Sequence, residues 1–580
     1  MPPSLPPYLL LQTSPTRRRR SLHTTASFPA GTTLVTFPAP LLALPSGPAA
    51  LTTCNYCLQT SPAPSEGTGG GSSSRGKLKA CTACRSAVYC GPACQRAHWR
   101  AGHRGECAML ARVRREAGKE WLPTSVRAVA QVMVGLAKKG GGGGKEKEKE
   151  DAGGQGLLLL KEAFGEGEGA LEGNVDGFRA AGEEVWRDLE LQATAAVVYA
   201  GLLGEGGGVV ERAREVLCKI QTNAFNRLDP DAGMTGIFLD PGLAMINHSC
   251  VPNAFIGFDK RTAVLRAARP IEEGEEITIS YIDNNLPRAA RHEALRLYHF
   301  TCDCLRCKDD LDVYEVCQAS TAIPLNSFSL QPDLSKLRNP PIDRAKVTKA
   351  EVEAIYKKWQ ALAKPEDDDE AEHLRLAQAR WELCRPLVEA KMWAVEPLPT
   401  TILELTTSWQ TSYKMVVYAL PLVCFLATEC DPFKMVAPFM AWRIKDMVAA
   451  IKLLAVTGEF TASGALATRC THEGLVGTLA MADQVSMCEA LLRLAVHHGS
   501  VGAAQDWEVL KEARSMLADL ESLEGREQES SLLRAWARDP EDPEGAAFFE
   551  SQVLRPIRTL SSFAVEILEA MLAGKSLVRR

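Results

Sequence analysis

The sequence predicts an α+β protein: a small β-rich domain, interrupted by a cysteine-rich insert and followed by an all-helical half. Three observations carry this expectation. Short β-branched segments bounded by turn residues lie on both sides of the insert. Cysteines in metal-ligand spacing crowd the stretch Cys54–Cys107. From about Asp310 onward, apolar residues recur every three or four positions with almost no strand signal.

At 580 residues the chain exceeds what one hydrophobic core organises, so several domains are expected. With 46% hydrophobic and 24% charged residues, its composition is that of ordinary globular proteins. A net charge of −5 gives no overall attraction to polyanions. Arg96, Arg100 and Arg104 read as a solvated helix face, so no direct DNA binding is expected. The longest apolar run, Met415–Ala427, falls short of the roughly 18 residues a membrane span needs and contains Pro421. It reads as a buried helix, and no membrane partner is expected.

Taken in order, the N-terminus has no Asp or Glu before Glu66, and Arg17–Arg20 sit among Ser and Thr. That composition suits a mitochondrial transit peptide, a short nuclear-import cluster, or simply a basic first strand. Leu22–Thr25 and Thr32–Phe37 read as strands around the turn Pro29-Ala30-Gly31. Ser61–Gly76 and Gly140–Gly156 are too rich in Gly, Ser and charge to bury apolar surface, and neither is expected to carry structure. Residues 108–138 and 180–225 read as helical; Ala254–Phe258, Val264–Ala267 and Glu276–Ser280 read as strands. Beyond them come helical segments at Glu370–Ala390, Ile402–Ala427, Val436–Leu454, Thr478–His497, Trp507–Leu523 and Phe548–Leu572, with Gly574 at a C-cap position. They suggest an array of helix pairs without a fixed period.

Of 18 cysteines, eleven fall in two clusters. The other seven (Cys218, Cys317, Cys384, Cys424, Cys430, Cys470 and Cys488) lie in apolar sequence without ligand spacing and read as buried small hydrophobes. Paired CxxC spacings without a secretory signal point to metal rather than disulfides, and to a reducing compartment. In the first cluster, Cys54-x2-Cys57, Cys81-x2-Cys84, Cys90-x3-Cys94 and His103-x3-Cys107 supply eight donors, enough for two tetrahedral zinc sites. In the second, Cys302-x-Cys304-x2-Cys307 supplies three thiolates, one short of a closed site.

Tyr89-Cys90-x3-Cys94-Gln95, followed by Trp99 and His103, resembles the MYND zinc finger. Asn247-His248-Ser249-Cys250, Pro252-Asn253, Gly274-Glu275-Glu276-Ile277 and Ile279-Ser280-Tyr281 resemble the signature segments of SET-domain methyltransferases. A SET domain interrupted by a MYND finger and followed by helices resembles the SET-and-MYND (SMYD-like) protein-lysine methyltransferases. The resemblance implies a SET β-fold split by the finger, then a TPR-like helical C-terminal domain. Its parts would be residues 1–50 (N-terminal SET), 51–110 (finger), 111–215 (helical insert with a flexible linker at 140–156), 216–290 (SET core), 291–310 (post-SET zinc segment) and 311–580 (helical domain).

The resemblance also implies residue roles. Cys54, Cys57, Cys90 and Cys94 would hold one zinc and Cys81, Cys84, His103 and Cys107 another, leaving His98 exposed. Cys250 would join Cys302, Cys304 and Cys307 on a third. The cofactor would be S-adenosylmethionine (SAM), contacted by Arg20, Asn223, Asn247, His248, Tyr281 and Phe300. Tyr281 would be catalytic, with Tyr298 and Phe300 walling the lysine channel. Partners would be proteins with an accessible lysine, histones among the candidates, and proline-rich peptides at the finger. The location would be nucleus, cytoplasm or both, with mitochondrial targeting as an alternative. The family's Gly-x-Gly cofactor segment is here Arg19-Arg20-Ser21, and glycine lets a backbone approach a ligand closely. A non-catalytic adaptor working through finger and helical domain is therefore the competing expectation.

Overall fold

The computed structural model describes residues 5–14, 19–60, 78–137, 152–167, 169–204, 208–229, 231–319, 338–362, 370–412, 414–434, 439–502 and 507–575. Among the described residues, twelve short strands are arranged in small sheets. β1 (Leu9–Ser14) and β2 (Arg19–Thr24) form an antiparallel pair. β3 (Thr33–Phe37) is the edge of a three-stranded sheet with β10 (Ala254–Asp259) and β11 (Thr262–Ala267). β4 (Leu42–Pro45) joins β7 (Phe225–Asp229) and β8 (Gly233–Leu239) in a second three-stranded sheet. Strands from before residue 50 thus pair with strands from beyond residue 225, so the β-domain is split by the insert.

β5 (Lys79–Ala80) and β6 (Val88–Tyr89) belong to the cysteine-rich finger. β9 (Asn247–His248) runs parallel to β12 (Thr278–Ile279), with Thr278 opposite Asn247 and Ile279 opposite His248. β12 is shorter than the expected strand Glu276–Ser280. The Asn253 side chain takes over part of the ladder: its Nδ2 donates to the Glu276 carbonyl (2.8 Å) and its Oδ1 accepts from the Thr278 N–H (2.8 Å).

β1 was not expected; Pro6 and Pro7 before it mask the signal, and it exists because Leu9 and Leu22 are buried in the sheet core. The expected helix over 108–138 is two helices, Arg104–Ala117 and Thr124–Ala137, ended by Gly118 in the left-handed region (φ 62°). That over 180–225 is likewise two, Glu183–Ala200 and Val209–Asn223, with Gly201 (φ 75°) ending the first. The second of these crosses the expected boundary at residue 215. Ser61–Gly76 lies outside the described residues, as do 140–151. The rest of Gly140–Gly156 is not structureless: the helix Ala152–Phe164 begins there, and Leu160 and Phe164 carry it into the insert's core.

The C-terminal half is all-helical among the described residues beyond 310. Gly574 (φ 73°) closes the helix Ala564–Leu572: its N–H bonds the Met571 carbonyl and the Lys575 N–H bonds the Ala570 carbonyl. The expected length of the apolar helix is corrected. Val416–Lys434 continues for 19 residues through a wide turn, long and apolar enough by composition to cross a membrane, as is the bent pair Glu473–Met481 and Gln484–Val501 taken together. Its most apolar window is 94% buried against neighbouring helices, so it serves as the core helix of this half. The seven scattered cysteines are all buried.

Among the described residues, contacts from the β-domain and from the helix Arg288–Leu295 that follows it hold the helical half in place. Trp507 Nε1 donates to Asp231 Oδ1 (2.8 Å), Phe255 stacks on Phe439 (5.5 Å between rings), and the Ala289 N–H donates to Glu353 (2.8 Å).

Candidate metal centres and cofactor cleft

The finger's CxxC turns and its first helix deliver two sets of donors. Cys54, Cys57, Cys90 and Cys94 converge, as do Cys81, Cys84, His103 and Cys107, each set with its ligand atoms within 4.8 Å of one another. Cys90 Sγ lies 3.3 Å from Cys94, 3.6 Å from Cys57 and 3.7 Å from Cys54. In the other set, His103 Nε2 lies 3.5 Å from Cys81 and 3.7 Å from Cys84, and Cys81 is 3.9 Å from Cys107. Four thiolates about 2.3 Å from one zinc stand about 3.8 Å apart along tetrahedral edges, whereas a disulfide needs about 2.05 Å. The spacing therefore fits metal. A hydrogen bond from Cys57 pulls the Cys54 thiol down to about 5, so the cluster already favours a thiolate.

His98 is not exposed but 4% accessible. Its Nδ1 meets the Tyr89 hydroxyl (3.0 Å), its ring stacks on His103 (5.0 Å), and burial pushes its imidazole down to about 3, leaving it neutral. Its Nε2 lies 3.6 Å from Glu106, so Tyr89, His103 and Glu106 together enclose it.

Glu106, which sequence reasoning passed over, organises the second set. Fully buried, it accepts from His103 Nδ1 (3.0 Å), from Arg127 Nε (3.0 Å) and Nη2 (2.8 Å), and from Gln131 Nε2 (2.5 Å). This fixes His103 with Nε2 free to face the thiolates, the carboxylate–histidine arrangement that orients metal ligands. Arg127 also donates to Asn55 Oδ1 (3.0 Å), tying the helix Thr124–Ala137 to the first CxxC turn. The only hint in the sequence was an acidic residue beside ligand Cys107.

The third set, Cys250, Cys302, Cys304 and Cys307, also converges within 4.8 Å, with Cys250 and Cys307 3.5 Å apart. Hydrogen bonds from Cys250 and Cys302 pull the Cys304 thiol down to about 6. Arg291, buried, donates to Cys307 Sγ (3.7 Å).

The β9–β12 pairing places His248 against Tyr281. The Tyr281 N–H donates to His248 Nδ1 (3.1 Å), so the proton resides on Nε2, which points at Cys250 Sγ (3.3 Å). Burial pushes the imidazole down to about 4, keeping it neutral. The Tyr281 hydroxyl donates to the Ile246 carbonyl (2.5 Å), which fixes its orientation. Tyr298 packs 4.8 Å from the Tyr281 ring, and Phe300 lies 5.9 Å from His248 and 6.4 Å from Tyr281.

Asn247 Nδ2 donates to the Arg20 carbonyl and to Glu276 Oε1 (both 2.8 Å), so the segment standing for Gly-x-Gly does reach the Asn-His strand. The Arg20 guanidinium donates to the Ala170 carbonyl (3.0 Å). Asn223 donates to the Glu172 and Lys219 carbonyls (both 2.7 Å), and Asn174 to the Tyr298 carbonyl (3.4 Å). The segment Ala170–Asn174, unforeseen in the sequence, thus connects Arg20, Asn223 and Tyr298.

Beside this knot a cleft of about 920 Å³ opens between the β-domain and the helical half. Tyr281, Tyr298 and Asn223 line it; Asn247, His248 and Phe300 do not. Phe300 packs on the His248 side instead.

The SET domain family model matches residues 19–282. The chain is 28% identical over 294 residues to histone-lysine N-methyltransferase ASHR1 of Arabidopsis thaliana, covering 50% of this chain and 54% of that one. It is 30% identical over 267 residues to SET domain and MYND-type zinc finger protein 6 of Schizosaccharomyces pombe (45% and 48% of the two chains). It is 31% identical over 237 residues to histone-lysine N-methyltransferase SMYD3 of Mus musculus (40% and 49%). The chain spans about half the length of the curated relatives it matches. With the finger's two ligand sets inserted between the paired strands of the segment that the SET domain model matches, the chain is similar in arrangement to SET-and-MYND-type proteins.

Proposed function

We propose that this protein is a SAM-dependent protein-lysine N-methyltransferase holding three structural zinc ions. The observation that carries the reading is the β9–β12 knot, in which Asn247 and His248 lie beside Tyr281 at the edge of the cleft. Relatives bearing the names histone-lysine and N-lysine methyltransferase favour the same activity and make lysine-bearing proteins, histones included, the substrate class. Arg20, Asn223, Asn247, His248 and Phe300 would hold the cofactor, which supplies an electrophilic sulfonium methyl. Tyr281 and Tyr298 would wall the channel and disfavour a charged ammonium by desolvation, presenting a neutral amine. The Tyr281 hydroxyl, fixed by its bond to Ile246, would accept a hydrogen bond from that amine and hold its lone pair in line.

Purified protein is expected to transfer radiolabelled methyl from SAM to a lysine-bearing protein. Tyr281→Phe should cut the rate about 100-fold or more at unchanged zinc content. Folded, zinc-loaded protein that neither binds SAM nor transfers methyl would decide for the adaptor. That reading has one specific observation in its favour, Arg19 and Ser21 at the two positions of the segment where glycines let the backbone close on a ligand. In either case the finger would dock proline-rich peptides, and residence would be nuclear or cytoplasmic, with mitochondrial import the alternative to be read from a fluorescent fusion.

A further inference from the structure

We infer that the cleft carries a second cation-recognition site, built on Asp446 and Trp442, that takes a basic side chain flanking the target lysine. The inference names the substrate class for the methyltransferase reading and rests on that reading for the target lysine.

Asp446 and Trp442 are four residues apart on the helix Ala441–Ala462, hence on one face, and both line the cleft. Trp442 is 57% exposed there, an unusual position for so large an apolar group. The cleft volume, about 920 Å³, is near the top of the range for ligand pockets and exceeds the needs of one extended side chain.

Charge decides the occupant. The cleft's cations are committed: Arg269 pairs with Glu275, Lys434 with Glu396 (2.6 Å), and Arg306 donates to the carbonyls of Leu311 (3.0 Å) and Asn284. The Asp283 carboxylate accepts from the Asn285 N–H (2.9 Å). Asp446 alone of the cleft's charged groups has no hydrogen bond or ion pair among the described residues. Burial, reinforced by neighbouring Asp431, pushes its carboxyl up to about 8; Lys434, Lys445 and Arg443 offset this only in part. An arriving cation favours the ionised form and releases the carboxyl proton, and a half-buried carboxylate without a partner among the described residues gains most from it. Trp442 adds a ring face for the same charge, with Lys445 Nζ 5.1 Å from the ring as its only cation among the described residues. The required ligand is therefore a peptide bearing, besides its lysine, an arginine or a second lysine.

The test uses the full zinc-loaded chain and fluorescent lysine-centred peptides with alanine flanks, in which one arginine is moved through the flanking positions. Fluorescence anisotropy should find a position at which arginine tightens binding about tenfold. Asp446→Asn should reduce that ratio to near one, and Asp446→Glu should restore much of it. Arginine preference that is absent, or equal in wild type and Asp446→Asn, overturns the site. Circular dichroism and zinc content check that both variants fold; should Asp446→Asn misfold, the salt sensitivity and arginine preference of Asp446→Glu carry the decision. Methyl transfer is measured separately on the same peptides. Asp446-dependent binding without transfer would sink the enzyme reading and leave the site standing; transfer without it would do the reverse.

Discussion

At the scale of single residues, the least expected finding is how much rests on Glu106. Its carboxylate is held well below the ordinary range, against the cost of its burial, by the guanidinium of Arg127 and by the bond to His103. Glu106→Gln keeps the shape but loses the charge that orients His103. Zinc affinity of the site holding Cys81, Cys84, His103 and Cys107 should fall about 10- to 100-fold, read by competition with a chromophoric chelator, while the site around Cys90 holds its metal. Arg127→Leu should be worse, costing about 3–5 kcal/mol in chemical denaturation, because it leaves a buried carboxylate unpaired. His98 teaches the complementary lesson. A histidine inside a ligand-rich stretch looks like a donor or a surface residue, and it takes the Tyr89 hydroxyl, the His103 ring and the Glu106 carboxylate, brought together by the fold, to explain its burial.

At the scale of elements, the cysteine side chains converge in the sets their spacing suggests because CxxC turns are local: the chain geometry that pairs two thiolates is contained in four residues. Helix ends marked by glycine were legible for the same reason at Gly574, and were passed over at Gly118 and Gly201, where apolar periodicity on both sides looked continuous. Strand lengths were read less well. β12 ends early because Asn253, from a distant loop, substitutes for its ladder. Gly236 shows how tight the split sheet is. A Cβ there would lie 2.2 Å from the Leu44 carbonyl oxygen on β4, a backbone atom that cannot swing aside. Gly236→Ala should cost about 1–3 kcal/mol, seen as a lower denaturation midpoint, by prising apart the pairing that joins residues before and after the insert.

At the scale of the whole molecule, the helical half does more than follow the SET domain: it supplies one wall of the cleft through Phe433, Met440, Trp442 and Asp446. That wall is electrically costly. Burial pushes the Asp446 carboxyl up to about 8 and that of Asp431 up to about 6, whereas both would titrate near 4 in the unfolded chain. The folded protein therefore holds protons that the unfolded chain has released, and stability falls as pH rises from about 4 through about 8. Thermal unfolding at matched ionic strength should show a lower midpoint at pH 9 than at pH 6, and Asp446→Asn should flatten the difference. The zinc sites add a second global dependence. Metal analysis should return about three ions per chain, and chelation should unfold the finger before the helical half, whose core contains none of the three ligand sets.

The sequence by itself determined the chemistry that local spacing can encode: the donor pairs, the Asn-His and Tyr281 segments, the apolar periodicity of the helical half and the burial of its scattered cysteines. Tertiary structure alone decided which distant groups meet. Examples are the Glu106–Arg127 pair at the second candidate metal centre, the Ala170–Asn174 segment between Arg20 and Tyr298, and a cleft wall carrying Asp446, which has no hydrogen bond or ion pair among the described residues. The reason is physical. Spacing along the chain fixes contacts within a turn or two, whereas the partners that neutralise, orient or leave unmatched a buried charge are chosen by packing between segments far apart in sequence.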